Sequence, residues 1–84
     1  MQFRIEFIKS RPDHSYVLAR QLVQSDFALS ESPTLGGAAI VRAVTHPRAI
    51  KPDGSHDYSL FAFNFVSVSD ASRFSVGQVV ELVP

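Results

Sequence analysis

A two-residue alternation of apolar and polar side chains governs this chain from its first positions. In Phe3-Arg4-Ile5-Glu6-Phe7, Phe3, Ile5 and Phe7 point one way while Gln2, Arg4 and Glu6 point the other. Strand side chains alternate between two faces, whereas a helix would need a 3.6-residue repeat, so this segment reads as a half-buried antiparallel strand. It ends near Ser10-Arg11-Pro12-Asp13. The alternation returns between Tyr58 and Val68, with Phe61, Phe63 and Phe65 on one face and Leu60, Ala62, Val66 and Val68 on the other. Two apolar faces predict a central strand covered on both sides. Composition agrees: ten Val, seven Phe, four Ile and two Tyr outnumber Leu, Glu, Lys and Met, and branched or aromatic side chains suit a pleated, half-buried surface.

Turn chemistry separates the remaining elements. Gly36-Gly37 gives way to a strand over Ala38 to Thr45, which Pro47 stops because proline has no amide to donate to a ladder. Ile50-Lys51-Pro52-Asp53-Gly54 predicts a tight turn: proline presets φ, aspartate bonds the nearby backbone, and glycine accepts positive φ. Ser25 to Gly37 reads as a long loop carrying one short strand, anchored by Phe27, Leu29 and Leu35. Ser69-Asp70-Ala71-Ser72 reads as a polar turn, and Gly77 to Val83 as the closing strand.

Ser15 to Val23 admits two readings. As a strand it places Val17, Ala19 and Val23 on one face, with Gln21 among them, and Tyr16, Leu18 and Leu22 on the other. As a helix it would take Asp13 as N-cap and gather Leu18, Ala19 and Leu22. The strand is favoured. Together these segments predict an all-β fold, a small antiparallel β-barrel of about six short strands spanning residues 1–84 as one domain.

The apolar stretch Leu60-Phe61-Ala62-Phe63-Asn64-Phe65-Val66, a polar turn, and then Phe74-Ser75-Val76-Gly77-Gln78-Val79-Val80-Glu81-Leu82 resemble the end of the β-barrel second domain of translation GTPases. The opening Phe3-Arg4-Ile5-Glu6-Phe7 is similar to the first strand of those barrels. The resemblance implies an isolated barrel that works by contact with RNA or protein partners. It carries over no binding residue. The chain has no G-x-x-x-x-G-K-[ST] phosphate loop, and no lysine follows Gly36-Gly37.

Charge and cysteine content narrow the function classes. Eight Lys+Arg cancel eight Asp+Glu, which speaks against whole-surface binding to DNA or anionic lipid. With no cysteine, disulfides, thiolate metal sites and cysteine nucleophiles are excluded and a reducing compartment is favoured. Arg4 and Glu6 interrupt the apolar run a signal peptide needs, and no stretch approaches the ~18 apolar residues of a membrane span. A cytoplasmic protein is expected.

No constellation of catalytic residues emerges. His14, His46 and His56 lack the close spacing of metal ligands and are expected in loops. His56-Asp57 reads as a polar turn leading into Tyr58, and Gly54-Ser55 as part of a hairpin turn rather than a nucleophile elbow. Most of the carboxylates fall at predicted turns or outward strand positions. No catalytic residue, metal or cofactor is expected, and an enzyme is not. The Phe61, Phe63, Phe65 stripe has no Lys or Arg between His56 and Arg73, so core packing is favoured over base stacking.

Residues 1–52 carry seven bases against four acids, and residues 53–84 one base against four. Lys9 and Arg11 flank one predicted turn, Arg48 and Lys51 another, and the two pairs are expected to share one rim as a partner- or phosphate-binding patch. The leading expectation is a non-enzymatic module that docks a protein partner, or a second copy of itself, through an apolar strand face with an Arg-rich rim. An RNA- or ribosome-associated barrel is the alternative, and a small-ligand carrier using the barrel interior or mouth a second one.

Overall fold

The computed structural model describes residues 1–46 and 49–84. Six strands follow one another among these residues: β1 (Gln2–Arg11), β2 (His14–Gln21), β3 (Thr34–Leu35), β4 (Ala38–Thr45), β5 (Leu60–Phe65) and β6 (Val79–Val83). They close an antiparallel barrel in the order β1-β2-β5-β4-β3-β6, with β6 returning to β1. Closure matters because an open sheet of this size would leave two rows of unpaired backbone groups. The two-residue β3 completes the ring by pairing Leu35 with Ala38 on one side and with Leu82 on the other.

The inner faces meet in one core. Phe3, Ile5, Val17, Leu35, Phe63 and Leu82 are its largest fully buried side chains. Phe3 packs edge-on against Phe63 at 5.1 Å, Phe61 at 5.6 Å and Phe27 at 6.0 Å between centroids, the arrangement that matches ring edge to ring face. These side chains fill the barrel interior. A 3-10 helix, Val68–Arg73, stands where a polar turn was expected. Its Ala71 is fully buried, and Phe74 just beyond it stacks on Phe65 at 5.3 Å. Ala71 and Phe74 therefore belong to the core, while the rest of the helix stays at the surface.

Ser15 to Val23 is a strand as far as Gln21, with Val17 and Ala19 inside; Leu22 and Val23 leave it and are exposed. Gln21 is buried among apolar neighbours, and its Nε2 donates to the Ser25 carbonyl at 3.0 Å, which removes the cost of an unpaired amide. The expected tight turn is present: the Gly54 amide donates to the Lys51 carbonyl at 2.9 Å, and Gly54 has φ +89°. His14 opens β2 instead of lying in a loop. The strand expected to be covered on both sides is central, between β2 and β4. Its inner face holds Phe63 and Phe65, but its outer face, with Leu60, Ala62 and Asn64, forms the barrel wall and is only half-buried.

Candidate docking face

Two single-residue bulges decide what the outer wall displays. In β1 the register passes from Ile5 opposite Ala19 to Phe7 opposite Leu18, leaving Glu6 unpaired. One extra residue inverts the alternation beyond it. Ile8, opposite Val17, therefore packs against the core, while Phe7, expected inside with Phe3 and Ile5, lies outside and 48% exposed. The bulge follows Ile5, whose amide donates to the Gln78 carbonyl at 2.8 Å and whose carbonyl accepts the Gly77 amide at 2.7 Å, just before β6. A second bulge in β4 leaves Val41 unpaired between Ile40, opposite Phe65, and Arg42, opposite Asn64. Beyond it Arg42 and Val44 face outward.

The result is an ordered face across four strands. Phe7 pairs with Leu18, Leu18 with Ala62, and Ala62 with Val44, a continuous apolar row over β1, β2, β5 and β4. Toward the β1–β2 turn a second row contains Lys9 opposite Tyr16 and Arg42 opposite Asn64. The Lys9 ammonium lies 5.8 Å from the centre of the Tyr16 ring, which also touches Phe7 at 6.1 Å and His14 at 5.2 Å. A lysine over an aromatic face keeps its charge in water while its stem covers apolar surface.

The other border of the row is polar and self-satisfied. Arg20 donates through Nε to Glu6 and through Nη1 to Asp57, both at 2.5 Å, and through Nη1 to the Ser59 hydroxyl at 2.8 Å. Asp57 is buried, and its Oδ1 accepts the Ser59 hydroxyl at 2.6 Å and the Ser59 amide at 3.0 Å. The Ser59 hydroxyl, then the Arg20 guanidinium, hold the Asp57 carboxyl well below the usual carboxylate range. Asp57, with Glu6, raises the Arg20 guanidinium in turn. The His56-Asp57 pair is thus more than a turn: Asp57 ties the 49–58 excursion to the barrel wall.

Of the four cations expected at one rim, the three within the described residues, Lys9, Arg11 and Lys51, are not gathered there. The β1–β2 register puts Arg11 opposite His14 and Phe3 opposite Gln21, so Arg11 marks one barrel end and Gln21 the other. Leu60 pairs with Arg20, and Thr45 with Phe61, so the excursion carrying Lys51 is attached at the Gln21 end. Arg11 instead borders a recess shared with Pro12, Val68 and Ser72. Lys51 is exposed, and its amide donates to the Ser55 carbonyl at 2.8 Å. Arg48 lies outside the described residues. Of the three within the described residues, Lys9 alone borders the apolar row, and its counterpart there is Arg42.

Among the described residues, no three His, Asp or Glu side chains form a metal-holding group, and no helix is long and apolar enough to cross a membrane. Compared with known protein families, curated proteins and solved structures, the chain gives no match to any of them. Fold and wall geometry together define a closed six-stranded antiparallel barrel with a cation-bordered apolar face.

Proposed function

We propose that this barrel is a non-enzymatic interaction module that docks a protein partner across the outer wall of β1, β2, β5 and β4. The observation that carries the proposal is the row Phe7, Leu18, Ala62 and Val44, bordered by Lys9 and Arg42, with no acidic side chain in either row. Four adjacent strands at ~4.8 Å spacing make a line of about 14 Å, the reach of roughly four extended residues. The occupant is therefore an extended segment whose apolar side chains settle on Leu18 and Val44. A second copy fits less well: a standard interface removes roughly 800 Å² from each partner, and two convex walls meeting would bury little beyond the single row.

Selection of displayed random peptides against the full chain tests this, with Leu18→Asp as counter-target and circular dichroism as the control for folding. Enriched peptides are expected to carry apolar anchors and to bind the folded Leu18→Asp variant at least about tenfold more weakly, the equivalent of ~1.4 kcal/mol. Equal binding to the variant refutes the face. So does failure to enrich peptides while single-stranded oligouridine binds with a steep salt dependence, which would assign the exposed Phe7 and the half-buried Tyr16 to base stacking. Sedimentation as a dimer that Leu18→Asp dissociates would replace the extended segment with a second copy.

A further inference from the structure

We infer that the docking face contains an anion subsite, and that the protein segment it accepts carries an acidic side chain beside its apolar anchor. This rests on the docking reading and adds a chemical identity to the occupant. At the Arg42 side of the apolar row lies a recess of about 220 Å³. Leu18, Ala62 and Val44 contribute its apolar surface, one residue from each of three adjacent strands. Around them stand Arg42, His14, His46, Tyr16 and Asn64, all hydrogen-bonding side chains, and no carboxylate among the described residues lines the recess.

The distribution of charge on the wall separates this group from its surroundings. Arg20 is engaged by both Glu6 and Asp57, and Arg4 lies directly opposite it in the β1–β2 register. Two cations and two carboxylates therefore balance at that border. Arg42 is exposed and has no ion pair among the described residues, and Lys9 leans on Tyr16 rather than on an acid. The uncompensated positive charge of the face is thus concentrated where the donors meet the apolar row. A guanidinium presents a planar fork that matches a carboxylate, and the apolar surface beside it takes the aliphatic part of the same ligand. The chemistry that satisfies both is a carboxylate on a short hydrocarbon arm next to an apolar neighbour.

Hexanoate and hexanamide share one hydrocarbon body and differ in charge, which makes them the probe pair. Each is titrated into the isotopically labelled full chain, following backbone and side-chain NMR shifts. Hexanoate is expected to shift Arg42, Asn64, Tyr16, Leu18 and Val44 together, with hexanamide about tenfold weaker, one charge-assisted hydrogen bond converted at ~1.4 kcal/mol per decade. Arg42→Gln, a change at an exposed position, is expected to bring hexanoate down to the hexanamide level while leaving the spectrum folded. Arg42→Lys is expected to fall between, because it keeps the charge and loses the fork.

Equal affinity for the two probes overturns the inference. Hexanoate shifts centred on Arg11, Arg73 or Lys51, or no saturable shift, do the same. Inorganic phosphate binding as tightly as hexanoate would assign the cluster to a phosphate and also overturn it. The two readings fail separately: selected peptides that need Leu18 but ignore Arg42→Gln remove the acidic subsite and leave the docking face standing.

Discussion

Gly36 joins two constraints whose energies are separable by substitution. Its φ of +57° lies in the left-handed region, and a Cβ built on it would stand 2.7 Å from Phe74 Cε1 and 3.3 Å from Val80 Cγ1. The neighbour cannot easily yield. Phe74 is 8% exposed and stacked on Phe65, and the Gly36 amide is tied to the Glu81 carbonyl at 2.8 Å. Gly37 shares only the first constraint: φ is +84°, and nothing lies within 4 Å of its Cβ position. Placing an L side chain in the left-handed region costs about 1–2 kcal/mol, and forcing a methyl into packed atoms about 1–3 more. Gly36→Ala is therefore expected to destabilise the barrel by ~2–5 kcal/mol and Gly37→Ala by only ~1–2. At about 4–8 °C per kcal/mol for a domain of this size, the two variants should melt at clearly different temperatures by circular dichroism, with urea midpoints in the same order. Phe74→Leu should relieve the packing part alone, so Gly36→Ala in that background costs ~1–3 kcal/mol less than in the parent. Equal costs for the two glycines, or strict additivity with Phe74→Leu, would refute the claim that Gly36 is required by the ring beside it.

Further predictions follow from the wall and the core. Asp57 titrates below its unfolded value near 3.8, so its contribution is fully present above about pH 4 and is lost as acid protonates the native carboxylate. Asp57→Asn is expected to cost about 1–3 kcal/mol at neutral pH, with a gap to the parent that narrows on acidification below pH 4 in urea titrations; a gap that widens in acid would contradict the Arg20 pairing. The β1 bulge makes neighbouring apolar residues unequal: Ile5→Ala should destabilise by ~2–5 kcal/mol and Phe7→Ala by less than about 1. Equal losses would place Phe7 back in the core.

The signals legible in the sequence were those that act over a few positions. The alternation in Phe3 to Phe7 located β1, and the Pro52-Asp53-Gly54 turn chemistry located a turn that the Gly54 to Lys51 hydrogen bond closes. One brief strand was expected within the Ser25 to Gly37 loop, and it is Thr34–Leu35; which of Phe27, Leu29 and Leu35 would carry it was not legible. Relations between strands were not legible. Nothing local marks Glu6 or Val41 as extra residues, because a bulge is a mismatch in count between two strands and only the partner reveals it. Arg20 and Asp57 stand 37 positions apart, so Asp57 read as a turn residue. The expected rim failed for the same reason. Lys9, Arg11 and Lys51 each border a turn, but which turns share a barrel end depends on the order β1-β2-β5-β4.

The two bulges also connect stability to function in this small barrel. Had β1 kept strict alternation past Ile5, Phe7 would face inward, where Phe3, Phe61 and Phe63 already meet around one centre. Cores at crystal-like density do not absorb a further ring without strain. The extra residue at Glu6 resolves that crowding by sending Phe7 out and the smaller Ile8 in. It also gives Arg20 a carboxylate partner, since Glu6 bonds its Nε. The displaced ring then becomes the first member of the apolar row. Deleting Glu6 should therefore remove the bulge yet keep what it displays. With one residue fewer, Phe7 follows Ile5 directly and stays opposite Leu18 on the wall, while Ile8 stays opposite Val17 inside. The deletion should keep binding Leu18-dependent peptides and lose in urea unfolding little beyond the Glu6–Arg20 pair, about 1 kcal/mol. A folded Glu6 deletion that no longer binds those peptides would break this link between strand register and the docking face.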